Sequence, residues 1–245
     1  MRRLALLVAV ILAMGACIRG DEDPSVSLKS PADGATVAGG VTLEMVADGI
    51  TIEEAGEARD DAGHFHVIAD DGCVATGDPV PKDADHVHFG KGQTSGTLYL
   101  APGEHEVCLQ AADGLHMAMA ATDTVTITAG IASQDEWCQV AGEVDVLFEE
   151  TDNGDAPFAD RQLAYENIHR LGEQLDAGID QVDASARPDV GAAIGAVLEL
   201  TAAYTAATEE TATVDAVMAV LEKAEDEMAA AAVWIDDTCG ISINS

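Results

Sequence analysis

Six of the seven histidines fall between residues 64 and 116: His64, His66, His86, His88, His105 and His116. Four of them form two H-x-H pairs, His64-Phe65-His66 and His86-Val87-His88. On a β-strand, residues i and i+2 point to one face, so each pair can present two imidazoles together. Neutral imidazole is a good ligand for copper or zinc. Asp61, Asp70 and Asp85 lie close by in sequence and could add an oxygen or hydrogen-bond the far ring nitrogen. Met117 and Met119 follow His116 and would contribute soft sulfur, favouring cuprous copper. Other chemistries use the same residues. The histidines can order loops and strands while the methionines fill the core, or they can act as acids and bases on a small ligand. A metal-bound water with an open coordination position and a carboxylate base would instead make a hydrolase.

Whether the six histidines converge depends on the strands that carry them, and parity leaves this open. His64, His66 and Ile68 share one side, as do His105, Val107 and Leu109. Val87 and Phe89 would take the apolar face of their own strand and turn His86 and His88 outward. The strand candidates are Val26 to Leu28, Val41 to Val46, His64 to Ala69, His86 to Phe89, Gly96 to Leu100, His105 to Gln110 and Thr124 to Thr128. Turn signals at Asp33-Gly34, Asp48-Gly49, Asp71-Gly72, Pro102-Gly103 and Asp113-Gly114 separate several of them. Short strands at this spacing predict an antiparallel, immunoglobulin-like β-sandwich over residues 25–130. Gly90, Gly92 and Gly96 around Lys91, Gln93 and Thr94 read as turn-shaping glycines rather than an anion loop.

After Gly130 the apolar period changes from two to between three and four. Ile168, Leu171, Leu175, Ile179 and Val182 form one helical stripe. Ile194, Val197, Leu198, Thr201 and Tyr204 form a second, preceded by Pro188, and Val214, Val217, Met218, Leu221, Ala224 and Met228 form a third. With a shorter helix from Asp135 to about Glu149, residues 131–245 read as a four-helix acidic bundle. This half carries 25 acidic residues against four basic ones, Arg161, Arg170, Arg187 and Lys223. The fold class is therefore two-domain, β then α.

Four cysteines, Cys73, Cys108, Cys138 and Cys239, allow three pairings. Local composition favours Cys73 with Cys108 and Cys138 with Cys239, because each bridge then closes one domain and the second staples the ends of the bundle. Trp137 and Trp234 would pack beside that staple. Thr151-Asp152-Asn153-Gly154-Asp155 offers only part of a calcium loop.

Across the chain, 45 Asp and Glu face 11 Lys and Arg, a formal charge of -34. Such a surface repels phosphate backbones, which excludes nucleic acid as a general partner. The short signatures of nucleotide-binding loops, serine-hydrolase elbows and zinc proteases are absent, so a non-enzymatic binding module is the expectation.

At the N-terminus, Arg2 and Arg3 precede an apolar run from Leu4 to Met14, then Gly15, Ala16 and Cys17. The run is shorter than the roughly 20 residues of a transmembrane helix and has the order of an export signal. Leu12-Ala13-Met14-Gly15-Ala16-Cys17 resembles a bacterial lipoprotein processing site, with Met14 where Leu is usual. The resemblance implies a signal peptide over 1–16, lipid on Cys17 and an acidic tether over 17–24. The chain would then sit on the extracytoplasmic side of a membrane in the bacterial cell envelope, where a protein or a cell-envelope polymer is the expected partner. An ordinary secreted protein is the alternative.

Gly63-His64-Phe65-His66-Val67-Ile68-Ala69-Asp70, His86-Val87-His88-Phe89-Gly90-Lys91-Gly92-Gln93-Thr94, Leu100-Ala101-Pro102-Gly103-Glu104-His105 and the later His116 together resemble the domain-of-unknown-function family 4399. The resemblance covers about residues 24–128, including Ser30-Pro31-Ala32-Asp33-Gly34-Ala35-Thr36-Val37, and implies a small exported β domain. It carries no activity to transfer. Phe65 stands where another histidine is common in the family, which removes one ligand. Cys73, Cys108 and Met117 are further departures, and the helical half lies outside the resemblance.

Overall fold

A computed structural model describes residues 23–151, 156–208, 229 and 231–242. The expected signal peptide, Cys17, most of the tether, Asp152 to Asp155 and the third apolar stripe lie outside the described residues.

Nine strands fill the first half: β1 (Ser25–Ser30), β2 (Thr36–Val37), β3 (Val41–Asp48), β4 (Thr51–Ile52), β5 (Ala62–Ala69), β6 (His86–Phe89), β7 (Ser95–Leu98), β8 (Gly103–Ala112) and β9 (Ala118–Ala129). They form a three-stranded sheet in the order β1-β3-β7 and a larger sheet in the order β2-β9-β8-β5-β4, with β6 also on β5. The expectation of a wholly antiparallel arrangement is corrected at two places. β2 pairs with β9 and β4 pairs with β5 in parallel, so the larger sheet is mixed. Both exceptions are two-residue strands, too short to show a period.

One apolar core lies between the sheets. Val26, Leu28, Leu43, Met45 and Leu98 of the small sheet meet Phe65, Val67, Val107, Leu109, Val125 and Ile127 of the large one. β3 alternates buried and exposed residues from Val41 to Val46, as a sheet with one wet face requires. β5 differs, because all eight of its residues are buried. Phe65, Val67 and Ala69 enter the core between the sheets. His64, His66 and Ile68 are buried on the opposite face.

Helices α1 (Gln134–Thr151), α2 (Phe158–Ala177) and α3 (Arg187–Thr205) follow, with a further helix, α4, over residues 231–239. Ile168, Leu171 and Leu175 of α2 pack with Trp137, Val140 and Val144 of α1, Val190 and Ile194 of α3, and Ala231 and Ile235 of α4. The first predicted stripe does not stay on one helix. α2 stops at Ala177, Gly178 forms the cap, and Ile179 to Gln181 make a single 3-10 turn before buried Val182. Pro188 lies within the first turn of α3, where its missing N–H leaves no broken bond. Disulfides join Cys73 to Cys108 in the β region and Cys138 to Cys239 across the helices. Beside the second, Trp137 and Trp234 meet edge to face with ring centroids 5.5 Å apart.

The halves are joined by polar contacts, those of Gln174 buried and those of Arg170 nearer the surface. The amide of Gln174 on α2 accepts from Gly39 N–H at 3.0 Å and donates to Leu100 O at 2.8 Å. Arg170 donates to Tyr99 O at 2.9 Å and pairs with Asp85 at 2.8 Å, one residue before β6. α2 thereby braces the segment that leads into the second H-x-H pair.

Candidate metal centre

β5 lies between β8 on one side and β4 and β6 on the other, so the register of its pairs decides where the histidines meet. His66 pairs directly with His88 of β6, and Ile68 with His86. On the other side His66 faces Gln110 and His64 faces Ala112. In β6, Val87 and Phe89 turn toward the apolar core, which leaves His86 and His88 on the side occupied by His64 and His66. The parity that seemed to point β6 histidines away from the core points them toward the β5 pair, because the β5 pair also faces away from it.

His116 completes the group from the β8–β9 turn. It has a positive φ of 66°, the left-handed conformation that few non-glycine residues adopt. Asp113 builds the turn that permits this. Its Oδ1 accepts from Leu115 N–H at 2.8 Å and Met117 N–H at 3.0 Å, and its carbonyl accepts from His116 N–H at 2.9 Å. A side chain that bonds backbone two residues ahead is the usual device of such turns.

His64, His66, His88 and His116 form a constellation in which one ring nitrogen from each lies within 4.8 Å of every other. His64 Nε2 and His66 Nε2 are 3.0 Å apart, and His88 Nε2 and His116 Nε2 are 3.1 Å apart. Four nitrogens at about 2.0–2.1 Å from a tetrahedral ion stand about 3.3 Å from one another, and the two pairs at 3.0 and 3.1 Å come close to that spacing. His64 and His66 are fully buried, whereas His88 and His116 are partly exposed. The group has a closed floor and an open rim. Nδ1 of His64 and Nδ1 of His66 are buried with no hydrogen-bond partner.

Burial, followed by the neighbouring imidazoles of His88 and His116, pushes His64 down to about 4. Burial, then His64, His88 and His116, pushes His66 down to about 3. His88 is also lowered, first by burial and then by His116 and Lys82. At neutral pH these rings are uncharged, the form that offers a lone pair to a cation.

His86 and His105 are not in the group. His86 Nδ1 lies 2.7 Å from Asp83, and His105 lies between Asp70 at 2.7 Å and Ala101 O at 2.8 Å, both holding loops as structural histidines do. The carboxylates expected to join a metal are not among the members of the group. Asp70 holds His105, Asp85 pairs with Arg170, and Asp61 is exposed beyond the end of β4. Met119 packs against the core on the opposite face of the sheet, so it supplies no sulfur to the group. Among the described histidines, cysteines and acidic residues, the group is histidine alone.

Several supporting residues carried no sequence signal of their own. Gln110 clamps the segment after Cys73, accepting from Val74 N–H at 2.9 Å and donating to Val74 O at 2.8 Å. Cys73–Cys108 fixes the same segment, which runs on to donate Val80 N–H to His116 O at 2.9 Å. Gly90 packs so closely on the His88 ring that a Cβ there would overlap it. A strap of residues 53–57 ties the two rim loops, with Ala55 N–H to Gly90 O and Gly56 N–H to Gly114 O, each 2.9 Å. Histidine two residues before a glycine was the available signal for Gly90, but it read as turn chemistry.

Residues 43–129 match the family model described as domain of unknown function DUF4399. All four histidines of the group lie inside the matched span. No curated protein matches the chain. Among solved structures, the endo-beta-1,4-mannanase from Thermotoga petrophila is similar at 12% identity and a TM-score of 0.30, covering 46% of this chain and 21% of that one.

Proposed function

We propose that the chain is an exported, lipid-anchored binding module that holds one transition-metal ion, copper or zinc, in the four-histidine group. The observation that carries this is the convergence of four imidazole nitrogens on one small volume, two of them buried and neutral. A purely structural group would satisfy its ring nitrogens as His86 and His105 do. Here the Nε2 atoms of His64 and His66 face each other at 3.0 Å, and those of His88 and His116 at 3.1 Å, with no carboxylate or carbonyl partner for any of the four among the described residues.

Export and lipid on Cys17 are supported by the Arg2-Arg3 start, the short apolar run and the cysteine after Gly15-Ala16. Two disulfides fit an oxidising compartment. The reading is non-enzymatic. The short signatures of common enzyme classes are absent from the sequence, which supports this reading.

The deciding experiment measures metal stoichiometry by elemental analysis and calorimetric titration on the oxidised full-length chain. One ion per chain, lost in the folded His64→Ala/His88→Ala variant, is the expected result. A folded chain that takes up neither copper nor zinc overturns the proposal and leaves the alternative of a lipoprotein whose acidic surface contacts a protein or a cell-envelope polymer.

A further inference from the structure

His116 is the member of the group that no strand carries, since β8 ends at Ala112 and β9 begins at Ala118. Its left-handed backbone is held by bonds that all end on Asp113. The Asp113 N–H donates to Met117 O at 3.0 Å, its carbonyl accepts from His116 N–H at 2.9 Å, and Oδ1 accepts from Leu115 N–H at 2.8 Å and Met117 N–H at 3.0 Å. Asp113 also follows Ala112, the residue in register with His64. One residue thus lies beside the floor of the group and builds part of its rim.

The turn accounts for the oxygen at this position and leaves the charge unexplained. An asparagine side chain offers the same Oδ1 acceptor and makes the same kind of turn. Asp70, Asp83 and Asp85 pair with His105, His86 and Arg170, whereas the ion pairs of the described residues leave Asp113 out. Asp113 is nonetheless partly buried. Its charge favours the protonated form of His64, against burial and the rings of His88 and His116. A field that favours a proton on His64 also favours a metal cation bound to that ring. The support acts through space, because His64 Nδ1 has no hydrogen-bond partner through which a carboxylate could reach it. Lys82 acts in the opposite sense on His88, so the group has a charge to overcome as well as one that helps.

We infer that Asp113 is a positioning residue of the metal centre with two separable roles: it fixes His116 in the left-handed turn, and its unpaired carboxylate offsets the charge of the bound cation. This rests on the metal-binding reading above and assigns the group an anionic support outside its four ligands.

Zinc and cupric ion are each titrated by calorimetry into the oxidised full-length chain and its variants, while amide hydrogen exchange at Leu115 and Met117 reports the turn in the metal-free protein. Asp113→Asn keeps the acceptor and removes the charge. With both amides still protected, it should bind the ion about tenfold more weakly than the parent. Glu104→Gln removes the same charge from the exposed far end of β8 and should stay within about twofold, as screening of a distant surface charge requires. If the two amides of Asp113→Asn exchange freely, Asp113→Glu and Asp113→Ala separate charge from turn, the first binding roughly fivefold more tightly than the second. Parental affinity in Asp113→Asn with protected amides, an equal loss in Glu104→Gln, or equal affinities in the last pair overturns the charge role and leaves the metal site standing. A folded parent that takes up neither ion overturns both.

Discussion

His66 on β5 and His88 on β6 are directly paired across an antiparallel register, and their rings stack with centroids 4.9 Å apart and planes 29° from parallel. Neighbouring strands therefore deliver one buried and one partly exposed imidazole to the same point. His64 reaches that point from the next position on the same face of β5, and His116 reaches it from a turn. Removing one ring should separate metal binding from folding. His66→Leu deletes a buried imidazole whose Nδ1 lacks a partner but also takes the 3.0 Å partner from His64 Nε2, so the metal-free variant should stay within about 1–2 kcal/mol of the parent in stability. The rise in melting temperature expected of the parent with added metal should disappear. Paired thermal melts with and without the ion measure both effects, and a variant that still gains stability from metal would exclude His66 as a ligand.

The depressed proton affinities of the floor histidines make stability depend on pH with a definite sign. His64 and His66 titrate near 4 and 3 in the folded chain, against 6.5 when unfolded. Below pH 6.5 the unfolded chain binds protons that the folded chain refuses, so the metal-free protein loses stability as the pH falls. Each imidazole held neutral contributes a slope of about 1.4 kcal/mol per pH unit between the two values. Denaturant melts from pH 7 to pH 4.5 should show this loss in the parent. His64→Leu/His66→Leu should flatten it, and equal slopes in the two proteins would show that the floor histidines are not the cause.

Much of this arrangement was legible from residue types and spacing. The seven longer strands stand near their expected positions, because alternating aliphatic residues and Asx-Gly turns mark them locally. The histidine group was only half legible. An H-x-H pair fixes which two rings share a face, but the meeting of His66 with His88 depends on register between strands separated by the segment 70–85. β5 is also buried on both faces, so an alternation rule that assumes one wet face does not apply to it. His86 and His88 looked equivalent in sequence. Only the Asp83 contact, made by a turn with no hydrophobic pattern, sends His86 to a structural role.

Gly90 offers a test that alters no ligand. A methyl group at this position would overlap the His88 ring, while the backbone φ there is not of the left-handed kind, so alanine should fold. Displacing the ring should weaken metal binding on the order of tenfold to a hundredfold, as loss of ligand-orienting contacts does elsewhere. Gly77→Ala, with open space around the added carbon but a positive φ of 88°, is a control for general backbone strain. Titration of both variants decides the matter, with unchanged affinity in Gly90→Ala showing that the His88 ring is free to move.

The two disulfides should differ in what they do to the site. Cys138–Cys239 closes a separation of 101 residues among the helices, and Cys73–Cys108 closes 35 residues in the β region. Chain-entropy reasoning assigns the longer loop about 4.7 kcal/mol and the shorter about 4 kcal/mol, so stability alone does not distinguish them sharply. Their positions do. Cys73 adjoins Val74, which Gln110 holds, and the same segment bonds His116 through Val80 before leading into the strand of His88. Cys73→Ala/Cys108→Ala should therefore weaken metal binding at least tenfold in protein that remains folded at low temperature. Cys138→Ala/Cys239→Ala should lower the melting temperature while leaving metal affinity within about twofold of the parent. Equal losses of affinity in the two double variants would mean that the site senses global stability, and that the segment from Cys73 to Asp85 has no special hold on His88 and His116.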